Sequence, residues 1–227
     1  MSAPTTVPTT TRPSRWSGRW PAPAVVAASG LGAFALAAVV AGALHPGYSH
    51  VGEGISALAA VDSPSAWIMI TGFLALAAGT VAAGTTLWLR LRTGVAGRIG
   101  AAMVVLAGAA MVPVGLAQQD CSEMIGACAP AEAAGTLSGH HVVHQLVSLA
   151  VFLVLTIAMF VIARGLKRSG GWAHLAVPTR LTGLAAFLVI AAMMTVGFGE
   201  FGGLVQRPFI ALLFGWPVLL AAVPARS

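Results

Sequence analysis

Charged side chains are scarce in this sequence. Only 8% of its 227 residues are Asp, Glu, Lys or Arg, whereas 58% are hydrophobic. A water-soluble domain carries about 25% charged residues, so this chain cannot cover the surface of a soluble domain. We therefore expect lipid to surround most of it. With six acidic residues and a single tyrosine, polar chemistry is confined to a few short stretches.

The net charge of +6 raises the question of a nucleic-acid partner, but the positions of the basic residues indicate membrane orientation instead. Beyond the N-terminal tail, all but Arg207 occupy alternate connections and the C-terminus: Arg90, Arg92, Arg98, Arg164, Lys167, Arg168, Arg180 and Arg226. All the acidic residues fall in the other connections: Glu53, Asp62, Asp120, Glu123, Glu132 and Glu200. Because cytoplasmic loops are enriched in Lys and Arg, we expect both termini in the cytoplasm and no nucleic-acid partner.

Apolar runs predict six membrane-spanning helices, each near the ~20 residues needed to cross a bilayer. They cover about 24–44, 66–89, 99–117, 141–163, 178–198 and 207–223. The predicted fold is all-α: a polytopic bundle of six transmembrane helices over residues 23–224, preceded by a disordered cytoplasmic tail over 1–22. A cleaved signal peptide is the alternative for the first run, which is longer than the usual ~7–15 residues. Pro208 should lie at the start of the last helix, where proline is tolerated.

Polar residues concentrate between Gln118 and Ser148. This stretch holds both cysteines, three of the six histidines and three of the six acidic residues. Ionisable residues in apolar membrane segments commonly mark functional sites. If the fourth span is helical from its start, His141, His144, Gln145 and Ser148 share one face. Such a polar stripe should point into the bundle and away from lipid.

Histidines one helical turn apart can share a metal ion, since neutral imidazole is a common ligand. The candidate ligands are His140, His141 and His144, and the candidate cofactor is a divalent metal such as zinc. A metal-free acid–base pocket and a structural hydrogen-bond network are the two alternatives. The sequence leaves all three open.

Further site residues come from the connections that share this end of the bundle. The candidate catalytic residues are Asp120, His144, Ser56 and Glu53. The candidate substrate-binding residues are Arg207, Glu200, Gln145 and Tyr48. Ser56 should face inward because it lies in a mostly apolar segment, and Arg207 should pair with Glu200, Asp120 or an anionic headgroup. The alternative role for the acidic residues is helix capping and loop solvation.

Cys121 and Cys128 lie in the connection predicted to be outside the membrane, where disulfides form and persist. We expect them to be bonded to each other. The alternative is a pair of thiols that bind a metal ion beside the histidines.

Several short motifs resemble one family of bacterial membrane proteins. They are HPGYSHVGEGISALAA at 45–60, an Asp after the third span (Asp120), Gly-His at the start of the fourth (139–140) and Gly-x-x-Gln-Arg at 203–207. Their order and spacing over residues 24–223 resemble the DUF998 family, whose function is unknown. The resemblance implies six spans and a multi-pass location in a bacterial plasma membrane, but no activity.

A second resemblance concerns chemistry alone. Alkaline ceramidases and adiponectin-receptor-like proteins use a Ser, an Asp and three His around zinc, and Ser56, Asp120 and the three clustered histidines are similar to that set. Those proteins differ in having seven spans, and their paired histidines lie late in the chain.

Together these features predict a polar His/Asp/Glu pocket at the outer face of a membrane protein. One hypothesis is an enzyme acting on a lipid or isoprenoid-like substrate, by metal-assisted hydrolysis or by acid–base catalysis in which an acid such as Asp120 supplies a proton. The other is a non-enzymatic accessory, lipid-binding or small transport protein. The expected partners are the lipid bilayer and an apolar small molecule, and the sequence indicates no particular protein partner.

Overall fold

A computed structural model describes residues 22–91, 94–122, 127–196 and 199–223. The predicted tail lies outside the described residues, apart from its last residue. All regular structure within the described ranges is helical. The α-helices are α1 (Ala22–Leu44), α2 (Ala66–Arg90), α3 (Val95–Leu116), the short α4 (Ala129–Ala133), α5 (Gly139–Lys167), α6 (Ala176–Thr195) and α7 (Gly202–Ala222). All but α4 are long and apolar enough to cross a membrane.

The start of α7 differs most from the prediction. This helix begins at Gly202, so Pro208 lies inside it and not at its beginning. The N–H groups of Gly203 and Leu204 donate to the carbonyls of Gly52 and Val51, at 3.2 and 2.9 Å. The first N–H groups of a helix have no partner within it. Here distant backbone supplies those partners, so α7 extends beyond its apolar run.

Glycines allow neighbouring helices to pack closely. A Cβ atom added to Gly30 of α1 would lie 2.8 Å from the Cα of Gly79 in α2, and one added to Gly165 of α5 would lie 2.6 Å from the Cα of Gly97 in α3. Small residues at such crossings let helix backbones approach each other in a membrane. Helices α1, α2, α3 and α5 therefore pack side by side in chain order, and α7 closes the bundle against α1 and α2.

The two ends of the bundle differ in chemistry. The described residues of three connections meet at one end, which we call the polar end: 45–65, 117–122 with 127–138, and 196 with 199–201. The opposite end carries the basic residues of the helix ends: Arg90, Arg98, Arg164, Lys167, Arg168 and Arg180. Apart from Arg207, which lies at the polar end, the structure thus separates the described acidic and basic residues along the bundle axis.

Candidate functional site

The connection after α1 folds back into the polar end. Its 3₁₀ helix, Ile55–Ala59, buries Ile55 and Leu58 completely or nearly so. The side-chain oxygen of Gln206 in α7 accepts the N–H of Ile55 at 2.7 Å. This anchoring carries Ser56, the polar residue between the buried ones, into the bundle, as its apolar surroundings predict.

Ser56 meets His144 inside the bundle. Its Oγ lies 2.9 Å from Nε2 of His144, and Nδ1 of the same ring lies 2.9 Å from the carbonyl oxygens of both Val114 and Ala117. A carbonyl only accepts hydrogen bonds, so Nδ1 carries the ring proton and Nε2 is the acceptor. The hydroxyl of Ser56 therefore donates to His144, which is 2% exposed.

The end of α3 explains the orientation of this imidazole. Helix α3 ends at Leu116, and the last carbonyls of a helix have no partner within it. The carbonyls of Val114 and Ala117 belong to that last turn and its cap. Nδ1 of His144 satisfies both, so the ring is fixed with Nε2 toward Ser56. The ring of Phe73 packs edge-on against it, with 6.1 Å between ring centroids.

A cavity of about 380 Å³ lies next to this pair. All six long helices contribute to its wall, which is mostly apolar. The polar lining residues are Ser56, Gln119, Ser122, His144, Gln145, Ser148 and Gln206. The described lining contains no Asp, Glu, Lys or Arg. The volume falls in the range of small-molecule sites, about 300–1,000 Å³.

Two polar lining groups lack protein partners. Gln119 as a whole residue is 7% exposed, and its side-chain amide makes no hydrogen bond within the described part of the chain. The Oγ of Ser122 is buried and also has no partner there. Buried polar groups are nearly always hydrogen-bonded, so the Ser122 hydroxyl indicates a bound molecule or water. The Gln119 amide lines the cavity and is open to the same molecule.

Asp120 binds the first turn of α5 and does not line the cavity. Its carboxylate accepts the N–H of Ser138 at 2.6 Å and the hydroxyl of Ser138 at 2.7 Å. Ser138 is the N-cap of α5, and its Oγ accepts the N–H of His141 at 3.2 Å. The two bonds from Ser138 hold the pKa of Asp120 below its usual range. An ionised, capping carboxylate is poorly suited to the predicted role of donating a proton to a substrate.

The three clustered histidines do not converge on one point. Nδ1 of His140 lies 2.6 Å from the Gln118 carbonyl, and Nδ1 of His141 accepts the N–H of Asp120 at 3.0 Å. Nδ1 of His141 is thereby occupied, and its Nε2 faces the amide of Gln145 at 3.2 Å.

In the described ranges, the one group of three potential metal ligands is Cys121, Cys128 and His141. The two cysteines form a disulfide, with 5.4 Å between their Cα atoms. The predicted disulfide is therefore confirmed. Disulfide sulfurs are not thiolate ligands, so this group does not offer three ligands to a zinc ion.

Arg207 ties the first connection to α7 outside the cavity. Its guanidinium donates to the carbonyls of His50, Glu53 and Gly203, and to the hydroxyl of Tyr48 at 2.6 Å. Burial raises the pKa of Tyr48, so its hydroxyl stays protonated and donates to the carbonyl of Gly54 at 3.0 Å. These contacts make Arg207 and Tyr48 supports for the 3₁₀ helix.

The remaining predicted site residues also lie away from the cavity. The carboxylate of Glu53 is buried and accepts the N–H of Ser49 at 3.1 Å. Glu200 is exposed in the 3₁₀ helix Gly199–Phe201. The expected pairing of Arg207 with Glu200 or Asp120 is not seen, because the ion pairs within the described residues join Asp120 to His140 and His141.

Three residues that line the cavity were not predicted from the sequence: Gln119, Ser122 and Gln206. Gln206 carried a usable indication, because it is an uncharged polar residue directly before the last apolar run. A polar side chain in that position needs a partner in the bundle, and Ile55 supplies it. Gln119 and Ser122 lie in a polar connection, where nothing in the sequence distinguishes a buried side chain from a solvated one.

Comparison with protein families adds one finding to this geometry. The family model described as "Protein of unknown function (DUF998)" matches residues 11–223, nearly the whole chain. Neither the curated proteins nor the solved structures give a match. Because this match covers nearly the whole chain, the chain belongs to the DUF998 family.

Proposed function

We propose that this protein is a membrane enzyme that transfers the acyl group of a lipid ester, with Ser56 as nucleophile and His144 as general base. The observation that carries the proposal is the 2.9 Å contact between Ser56 Oγ and His144 Nε2 beside the cavity. A serine hydroxyl is a weak nucleophile until an adjacent base accepts its proton. An imidazole whose other nitrogen is fixed by hydrogen bonds is the usual base.

The proposed reaction follows from these positions. Ser56 Oγ attacks the ester carbonyl carbon while its proton passes to Nε2 of His144. The bond from that carbon to the leaving alkoxide then breaks, and the imidazolium returns the proton to the alkoxide. Water attacks the acyl-serine by the same route and releases a fatty acid. The carbonyls of Val114 and Ala117 keep Nδ1–H in place throughout, as a carboxylate does in a catalytic triad.

Gln206 supports the proposal as a donor to the developing oxyanion. Its side-chain oxygen is fixed by Ile55 N–H, one residue from Ser56, and the side chain lines the cavity. Its amide NH₂ has no partner within the described residues. Fixed donors of this kind stabilise the charge of an acyl-transfer transition state, typically by about 3–4 kcal/mol.

We also propose the orientation predicted from the sequence: both termini in the cytoplasm and the polar end outside, in a bacterial plasma membrane. The basic residues gather at the opposite end of the bundle, as expected of a cytoplasmic side. The disulfide at the polar end suits an oxidising compartment.

Hydrolysis of chromogenic fatty-acyl esters by the purified protein in nanodiscs tests the proposed chemistry. Ser56→Ala should abolish turnover, and His144→Gln should lower it by about 10²–10⁴-fold, the usual contribution of a general base. Ser63 and His45 provide matched controls, since they form a second Ser–His contact at 3.3 Å in the same connection without lining the cavity. Ser63→Ala and His45→Gln should leave turnover unchanged. Equal activity of Ser56→Ala and wild type would overturn the proposal.

A non-enzymatic lipid-binding protein is the second candidate. The unpartnered side chains of Gln119 and Ser122 favour a bound molecule whether or not a reaction follows. Lipid that copurifies with the protein and is never hydrolysed, together with no Ser56-dependent turnover, would select this candidate.

A further inference from the structure

We infer that the cavity takes an uncharged amphiphile, which passes from the bilayer between α5 and α6 and places its polar head on Gln119. The inference rests on the cavity of the proposed function and names its substrate class. A mono- or diacylglycerol, which carries hydroxyl and ester groups on a glycerol head, has the required chemistry.

The described lining offers no countercharge to a charged head. No Asp, Glu, Lys or Arg lines the described part of the cavity. The nearby ionic groups are engaged elsewhere: Arg207 with three carbonyls and Tyr48, and Asp120 with Ser138. A phosphate buried here would lose its water without gaining a countercharge, which is strongly unfavourable. The cavity should therefore discriminate diacylglycerol from phosphatidic acid with the same chains.

The unpartnered groups specify what the head must offer. The Gln119 amide presents two N–H donors and one acceptor oxygen, and the Ser122 hydroxyl presents one donor and an acceptor. A ligand with only acceptors would leave the Gln119 oxygen unpaired, and a plain hydrocarbon would leave both side chains unpaired. A head with hydroxyl and ester groups donates and accepts, so it satisfies both residues.

The wall between α5 and α6 gives a route from the bilayer. Leu146 of α5 and Met194 of α6 line the cavity, yet they are 63% and 64% exposed on the surface of the bundle. At this level the wall is one side chain thick. Nearer the opposite end of the bundle, which carries the basic residues, the same two helices pack in direct contact. A Cβ atom added to Gly183 would lie 3.0 Å from Cβ of Met159 there. In the proposed orientation, this thin part of the wall faces the hydrocarbon of the half of the bilayer nearer the polar end.

Photo-crosslinking of lipid tests the selectivity. The protein in nanodiscs is exposed to a diacylglycerol with a photoreactive acyl chain, and unlabelled lipids compete. Unlabelled diacylglycerol should compete at least about tenfold better than phosphatidic acid of the same chains. Gln119→Leu should lower capture by a similar factor, whereas Gln118→Leu, which alters the neighbouring residue outside the cavity, should not. Equal competition by the two lipids, or capture unchanged by Gln119→Leu, would overturn the inference.

Tryptophan substitutions test the route. Met194→Trp and Leu146→Trp add bulk to the thin part of the wall and should slow capture by about tenfold or more. Leu188→Trp is the matched control, because Leu188 lies on α6, is 58% exposed and does not line the cavity. Equal capture rates for the Met194 and Leu188 variants in a folded protein would refute lateral access.

Ser56→Ala separates this inference from the proposed chemistry. Capture retained in Ser56→Ala, with or without turnover in the wild type, supports the inference independently of the reaction. Turnover of short soluble esters that persists while lipid capture shows no selectivity would leave the proposed chemistry standing and refute the inference.

Discussion

Replacement of Arg207 by alanine should destabilise the polar end of the bundle. The guanidinium donates to three backbone carbonyls and to the Tyr48 hydroxyl. A hydrogen bond to a charged group contributes about 1.5–3 kcal/mol. Arg207 is half-buried, so water would replace part of what is lost, and we expect the variant to lose about 3 kcal/mol in total. For a chain of this length that loss corresponds to a fall in Tm of roughly 6–12 °C.

Tryptophan fluorescence during thermal unfolding in nanodiscs measures this effect. Arg180→Ala is the control, because Arg180 is exposed at the basic end and such surface changes usually stay within about 0.5 kcal/mol. Tyr48→Phe removes one of the acceptors of the guanidinium. Combined with Arg207→Ala in a double-mutant cycle, it should show a coupling of about 1 kcal/mol. If Arg207→Ala has the same Tm as Arg180→Ala, Arg207 does not hold the first connection against α7.

Three further predictions concern charge, metal and orientation. Because the pKa of Asp120 is lowered from its usual 3.8, its contribution to stability is present above that value and lost as the pH falls through the lower folded pKa. Asp120→Asn should thus have a lower Tm than wild type near neutral pH, and this difference in Tm should disappear in acid. A difference in Tm that does not depend on pH would contradict an ionised Asp120 carboxylate bound to Ser138. Elemental analysis of the purified, oxidised protein should show no stoichiometric zinc held by His140, His141 or His144, since Nδ1 of each ring is already hydrogen-bonded and the three rings do not converge; zinc lost on His144→Ala would restore the predicted metal site. Reporter fusions at the C-terminus should place it in the cytoplasm, and an external reporter would reverse the proposed orientation.

Much of the fold could be predicted from the sequence, because hydrophobic length and charge position act locally. The six apolar runs appear as six helices, and most ends lie within a few residues of the prediction. The start of α7 could not be predicted from local sequence. Its first N–H groups are satisfied by Val51 and Gly52, about 150 residues earlier in the chain, and only the tertiary structure brings them together.

The candidate site could also be predicted only in part from the sequence. The helical stripe predicts that His144 points into the bundle, and the ring is buried there. The apolar segment around Ser56 predicts that Ser56 faces inward, and it lines the cavity. Sequence spacing also suggests that three neighbouring histidines could share a metal ion. Spacing does not reveal that the last carbonyls of α3 occupy Nδ1 of His144, or that Asp120 occupies Nδ1 of His141. Such backbone partners decide whether a histidine acts as a ligand, a base or a cap, and they depend on how the helices pack.

Mass spectrometry after treatment with a fluorophosphonate tests the central claim most directly. The reagent bonds covalently to serine hydroxyls that a neighbouring base activates. We predict a single adduct on Ser56 of the folded protein, lost in His144→Gln and retained in His45→Gln. Ser63, whose contact with His45 lies outside the cavity, should remain unmodified. A folded protein whose Ser56 is no more reactive than Ser63 would contradict the proposal that Ser56 and His144 form an active centre.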